Sequence, residues 1–189
     1  VNAVPICLDT KDPAEVIRAV EMIAPSFGGV NLEDIRSPEC FEIERVLEEK
    51  LDIPVFHDDQ HGTGIVVTAA LLNALKVVGK DIASVKIVQN GPGAAGTAII
   101  KMLMAAGATD ITAVDEHGIL YEGRPAGLKD HKAWLATVTN PRHLTGGLAE
   151  AVKGADVFIG TSIAGALTPE MAATMAPGAV VFAMANPNP

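Results

Sequence analysis

Residues 85–103 read "VKIVQNGPGAAGTAIIKML". A short β-branched run, Val85 to Asn90, enters a turn with glycines at 91, 93 and 96. A stretch free of helix breakers follows from Thr97. The order strand, GxGxxG turn, helix is that of a dinucleotide-binding turn. Gly91 makes the tight turn, Gly93 lets backbone approach a pyrophosphate, and Gly96 allows helix and strand to pack closely. Pro92 has no N–H to give a phosphate, whereas Ala94 and Ala95 complete the loop, and the N-terminus of the helix after it offers N–H groups and a partial positive charge. An acid is expected at the end of the next strand, about 20 residues on, to bind ribose hydroxyls. Asp115 closes "DITAVD" at that place. A lone glycine turn would fit simple close packing, but strand, helix and acid together point to a dinucleotide. Asp115-Glu116 would repel a 2′-phosphate, although His117 and Arg124 lie nearby to offset this. NAD is the expectation, with NADP left open.

Outward from this stretch, apolar strand-like runs alternate with longer amphipathic ones. "AVPICL" reads as a strand, and Asp12-Pro13 starts a helix to about Ala24. "GGVNLE" reads as a strand, followed by a helix from Pro38 to about Lys50 with Ile43, Val46 and Leu47 on one face. "IPVF" is a strand, and a long helix from about His61 to Val78 ends at Gly79. "DVFIG" and "AVVFAMA" are later strands, with a helix from Pro169 to about Met175 between them. The least regular part, "EGRPAGLKDHKAWLATVTNPRHLTGG", reads as a surface connection with one helix. The alternation predicts an α/β fold: a doubly wound parallel sheet of Rossmann type, with ligands at the carboxyl ends of its strands.

Bulk properties narrow the function. Of 189 residues, 49% are hydrophobic and the net charge is −9, which argues against a phosphate-backbone binder and so against nucleic acid. No apolar run reaches the length of a membrane span, and no basic, cleavable leader precedes Val1. Two cysteines, Cys7 and Cys40, do not make a disulfide framework and suggest a reducing cytoplasm. Both ends, "VNAVPICLD" and "FAMANPNP", read as cut from something longer.

Two pairs of adjacent acids, Glu33-Asp34 and Asp58-Asp59, each stand where an apolar run stops. Adjacent carboxylates repel, and their desolvation is costly without a cation or hydrogen bonds. An oxygen-only set suits Mg²⁺ or Mn²⁺. Zinc fits less well, because a strand-to-helix change separates His57 from His61, and these histidines read as turn and helix-start residues. Either pair alone would serve as helix caps.

The blocks "GGVNLEDIRSPECFEIE", "LDIPVFHDDQHGTGIVV", "NGPGAAG", "GADVFIGTSIAGALTPEM" and "VFAMANPNP" resemble the malic enzymes in their shorter prokaryotic form, over nearly the whole chain. The resemblance implies oxidation and decarboxylation of L-malate to pyruvate with NAD or NADP and Mg²⁺ or Mn²⁺. It places the metal ligands on Glu33, Asp34 and Asp59, and gives Asp58 the part of orienting the catalytic base. Thr63 would help bind phosphate or substrate, the cofactor loop falls on Gly91 to Gly96, and Ser162 and Asn186 lie along the nicotinamide pocket. It further implies residues 1–57 as the end of a substrate and metal domain, residues 58–189 as an NAD(P)-binding domain truncated at its C-terminus, and a homodimer in the full-length enzyme. Two departures stand out. Pro92 takes a place where alanine is common, and the family's tyrosine acid and lysine base match no residue here, Tyr121 included. The chain alone is therefore expected to lack turnover. Another Rossmann dehydrogenase, of amino-acid type, or a non-catalytic nucleotide-binding module are the alternatives.

Overall fold

The computed structural model describes residues 1–186 and 188–189, in two compact units, Val1–Asp58 and Asp59–Pro189. In the first unit, helix α1 (Pro13–Ile23) starts where the sequence placed it. Asp12 caps it by accepting from the Ala14 N–H at 2.9 Å, and Pro13 holds the first turn. Strands β1 (Val30–Leu32) and β2 (Val55–His57) pair in parallel, Val30 opposite Val55 and Leu32 opposite His57. Helix α2 (Glu39–Lys50) joins them and buries Ile43 and Leu47 with Val16, Val20, Leu32 and Val55.

Three local expectations need correction here. Residues 1–12 hold no strand: Val1, Val4, Ile6 and Leu8 are exposed, and no ladder partner lies beside them among the described residues. An isolated extended segment gains none of the cross-strand contacts that stabilise a sheet. On α2, Val46 is only half-buried, and Glu44 is buried instead. Its carboxylate leaves the helix periodicity to accept the His57 N–H at 3.0 Å. His57 itself ends strand β2 and is buried, so it is not a turn residue.

The chain leaves β2 through a π-helical turn, Asp58–Gly62, and enters α3 (Thr63–Val78), which Gly79 ends in the left-handed conformation at φ 70°. The second unit is a five-stranded sheet of order β5-β4-β3-β6-β7. Its members are β3 (Lys86–Asn90), β4 (Asp110–Asp115), β5 (Gly118–Ile119), β6 (Val157–Gly160) and β7 (Val180–Ala183). Every pairing is parallel except β5 on β4. Helix α4 (Ala94–Ala105) follows β3, α5 (His131–Val138) and α6 (Leu148–Val152) precede β6, and α7 (Pro169–Ala172) precedes β7.

The period of two along the strands explains why both faces are covered. Ile87, Ile111, Ala113, Val157 and Ile159 join one apolar cluster with Val67, Leu71, Ile99, Ile100 and Leu103 of α3 and α4. Their neighbours Val88, Val114 and Phe158 join another with Ile119, Ala151 and Val152. Full burial of each Val, Leu, Ile or Phe among them stabilises by about 1.5–3 kcal/mol. This is the doubly wound sheet that the glycine turn implied. Strand β5 and helix α6 carry too few residues to show a period in the sequence. Helix α7 stops at Ala172, short of Met175, because Thr174 and Met175 turn back to carbonyls three residues earlier.

Residues Asp58–Val78 form a helical stretch of 21 residues that is long and apolar enough to cross a membrane by length and composition. The sequence expectation that no run reaches that length is corrected accordingly. Within the second unit, α3 packs through Val67, Leu71 and Leu75 in the core cluster. At the amino edge of the sheet, Lys80 Nζ donates to Asp156 Oδ1 at 2.7 Å and to the Pro177 carbonyl at 2.7 Å, while Asp156 Oδ2 accepts the Lys86 N–H at 2.9 Å.

Candidate functional site

The carboxyl ends of β3, β4 and β6 meet around the glycine turn. Gly91 sits at φ +93°, a conformation that L side chains rarely adopt. A Cβ there would lie 2.8 Å from Ser162 Cβ and 2.9 Å from its nitrogen, so the turn is pressed against the end of β6. Gly91 donates its N–H to the Val114 carbonyl at 2.9 Å and accepts Thr161 Oγ1–H at 2.7 Å. Asn90 Nδ2 donates to Ser162 Oγ at 2.8 Å, and Gln89 Nε2 to Thr161 Oγ1 at 2.9 Å. A Cβ on Gly96 would lie 2.2 Å from the Gly91 carbonyl oxygen. This is the close helix–strand approach read from the spacing. A Cβ on Gly93 would meet nothing within 4 Å, so that position faces open space beside the first turn of α4, which Ala94 and Ala95 begin.

Asp115 ends β4 and is almost fully enclosed. Its Oδ1 accepts from Arg124 Nη1 at 2.7 Å and from the His117 N–H at 2.9 Å. Its Oδ2 accepts from Arg124 Nη2 at 2.8 Å and Lys132 Nζ at 2.9 Å. The carboxylate side chain is 1% exposed and the Arg124 side chain 4%. Burial pushes the Asp115 carboxyl up, but the hydrogen bonds from Arg124, Lys132 and His117 outweigh it and hold it down at about 2. The same ion pairs raise Lys132 and Arg124, against burial that lowers both. Lys132 also reaches Glu116 Oε2 at 3.2 Å, and Glu116 is 67% exposed. The acid expected to face ribose is thus saturated by four donors, and the groups at its rim are Lys132 and Glu116. Sequence reading named Arg124 as an offset to the acids but missed Lys132, which comes from α5 inside the irregular segment and carries no local signal.

Ser162 follows β6 and is exposed, Pro92 is buried in the turn, and Asn186 lies exposed just past β7. Thr63 is the first residue of α3. Of the paired acids, Glu33 and Asp34 are exposed after β1, and Asp34 takes the left-handed conformation at φ 57°. Non-glycine residues there are uncommon, and Asp is among those that tolerate it. Asp58 and Asp59 are half-buried in the π-helical turn, one at the end of each unit. Among the described residues no group of three His, Cys, Asp or Glu side chains forms a metal cage. The donors themselves are carboxylate oxygens, chemistry that fits a hard divalent cation.

Residues 60–189 match the family profile described as "Malic enzyme, NAD binding domain". The chain belongs to the malic enzyme family. It is 53% identical over 189 residues to a bifunctional malic/malolactic enzyme of Bacillus subtilis, covering 100% of this chain and 46% of that protein. It is 47% identical to an NADP-dependent malic enzyme of Halomonas elongata, covering 100% of this chain and 44% of that one. The crystal structure of an NAD-dependent malic enzyme from Thermotoga maritima superposes with a TM-score of 0.97 at 48% identity, over 100% of this chain and 50% of that one. This malic enzyme chain therefore spans about half the length of each of these three relatives. Both NAD- and NADP-dependent enzymes occur among them.

Proposed function

We propose that the protein carrying this chain oxidises and decarboxylates L-malate to pyruvate and CO₂, reducing NAD or NADP in the presence of Mg²⁺ or Mn²⁺. The observation that carries the reading is the glycine turn of a malic-enzyme NAD-binding domain, closed against Ser162 and open at Gly93. Backbone N–H groups of Gly93 to Gly96 would receive the pyrophosphate at the start of α4. Lys132 and Glu116 would meet the adenosine ribose, with Asp115 fixing Lys132. Glu116 favours NAD by opposing a 2′-phosphate, while Lys132 offers the cation through which NADP would be held. Ser162 and Asn186 would line the nicotinamide side, and Thr63 the phosphate or substrate. Glu33, Asp34 and Asp59 would hold the divalent ion, with Asp58 orienting the base. When bound, the nicotinamide supplies the hydride acceptor and the ion a Lewis acid that polarises the substrate carbonyl. Residues 1–57 would then belong to a substrate and metal domain. We also propose a cytoplasmic location, in keeping with only two cysteines.

A chimaera tests the reading directly: this chain replaces the matching stretch of the B. subtilis relative. Malate-dependent formation of NADH or NADPH that requires Mn²⁺ or Mg²⁺ is expected. A folded chimaera that binds NADH and leaves malate unchanged would sink the proposal. In the same chimaera, Asp59→Asn is expected to weaken Mn²⁺ binding in the presence of oxalate by more than about tenfold, since even an outer partner of a metal ligand carries that much. Oxalate chelates through two oxygens, as a 2-keto acid does. Calorimetry showing equal Mn²⁺–oxalate affinity would remove Asp59 from the metal set.

A further inference from the structure

We propose that His131 is a positioning residue for the glycine turn, fixing the Pro92–Gly93 peptide so that the Gly93 N–H is aimed at the pyrophosphate. This rests on the dinucleotide-binding reading above. His131 Nε2 lies 2.8 Å from the Pro92 carbonyl oxygen. A carbonyl only accepts, so Nε2 carries the proton and donates it. The peptide after Pro92 is trans, which makes its C=O and N–H point in opposite directions across one plane. Drawing the Pro92 carbonyl toward α5 therefore turns the Gly93 N–H away from α5.

That donor matters more here than in a turn without proline. The Gly91 N–H is committed to the Val114 carbonyl, and Pro92 has none. Gly93 is the next donor in chain order, and it stands where an added Cβ would find open space. Thr97 Oγ1 also approaches the Pro92 oxygen, at 3.4 Å, too long to fix the plane alone. Asp130, at φ 51°, turns the chain into α5 and presents His131 and Lys132 together. One holds the turn after β3, and the other holds Asp115 at the end of β4. The first turn of α5 thus ties together the two loops that a dinucleotide would bridge.

The test measures binding of ADP-ribose, which carries a pyrophosphate, and of adenosine, which does not, by NMR titration of the 189-residue chain. His131→Leu is expected to raise the Kd for ADP-ribose about three- to tenfold, the effect of one neutral hydrogen bond, and to leave adenosine unchanged. His131→Gln, which keeps a donor near Nε2, is expected to restore most of the loss. Equal loss for both ligands, or unchanged ADP-ribose binding by a folded Leu variant, would overturn the assignment. Should His131→Leu fail to fold, the parent chain decides: the Gly93 amide resonance must shift on adding ADP-ribose, and an unmoved resonance overturns it. A parent chain that binds no ADP-ribose would overturn the dinucleotide reading, and this inference with it.

Discussion

Gly96→Ala is expected to destabilise the second unit by about 3 kcal/mol or more, the upper end of what overpacking costs, and to abolish NADH binding. The new Cβ would lie 2.2 Å from the Gly91 carbonyl oxygen and 3.0 Å from Gln89 Nε2. Neither partner retreats easily. The Gly91 carbonyl accepts from Thr161, its N–H is bound to Val114, and its Cα faces Ser162. Helix α4 is pinned from behind by Ile99, Ile100 and Leu103, each 0% exposed. Relief must come from rotating the Gly91 peptide, which breaks the Thr161 bond and displaces the turn. Gly93→Ala provides the contrast. Its Cβ meets nothing, and its backbone is extended with φ −81°, so thermal stability should hold while NADH affinity falls. Melting curves and NADH fluorescence on the two variants check both halves. A Gly96→Ala chain that melts with the parent would show that the turn yields where the packing says it cannot.

Asp115→Asn is expected to cost on the order of 3 kcal/mol, because it leaves the Arg124 guanidinium enclosed without its counter-charge. Arg124 would keep the Ala126 and Gly118 carbonyls, at 2.8 and 2.9 Å, but carbonyls do not neutralise a cation. The fall in melting temperature should be about 10 °C. The pH dependence has a definite sign. The Asp115 carboxyl is depressed from 3.8 to about 2 in the folded chain. Its stabilisation is complete above the unfolded value and is lost as pH falls through the folded one. Asp156 is lowered too: burial raises it, but the Lys80 and Lys86 contacts outweigh that. Acid should therefore unfold the parent between roughly pH 4 and 2, and the Asn variant should lose less over that window. Urea melts at neutral pH and at the acid end measure this. An Asn variant as stable as the parent at neutral pH would mean that Arg124 finds another anion.

The glycine turn was legible because its chemistry is local: the strand, the three glycines and the helix are contiguous, and Gly96 does pack as its spacing implied. The alternation of strand-like and helical runs along the chain gave the doubly wound sheet for the same reason. What surrounds Asp115 was not legible. Its position at a strand end follows from spacing, but its partners Arg124 and Lys132 come from a segment with no period, and only the folded chain shows that the carboxylate is enclosed. Strand "AVPICL" failed for a related cause. Its composition suits a sheet, but composition says nothing of whether a neighbour exists to pair with. Glu44 broke the face of α2 because a backbone N–H from distant His57 needed an acceptor, a demand that helical periodicity does not register.

The fastening formed by Lys80, Asp156 and Pro177 offers an engineer a separate handle. It joins the segments that lead into β3, β6 and β7 at their amino ends, whereas the turns that would recognise a nucleotide hang from the carboxyl ends. Heat tolerance could be selected at one rim in a library that leaves the other untouched, and cofactor preference could be redesigned around Glu116 and Lys132 without eroding the first gain. Substitutions more than 7–10 Å apart with no shared partner usually add, so improvements found separately at the two rims can be combined in one chain.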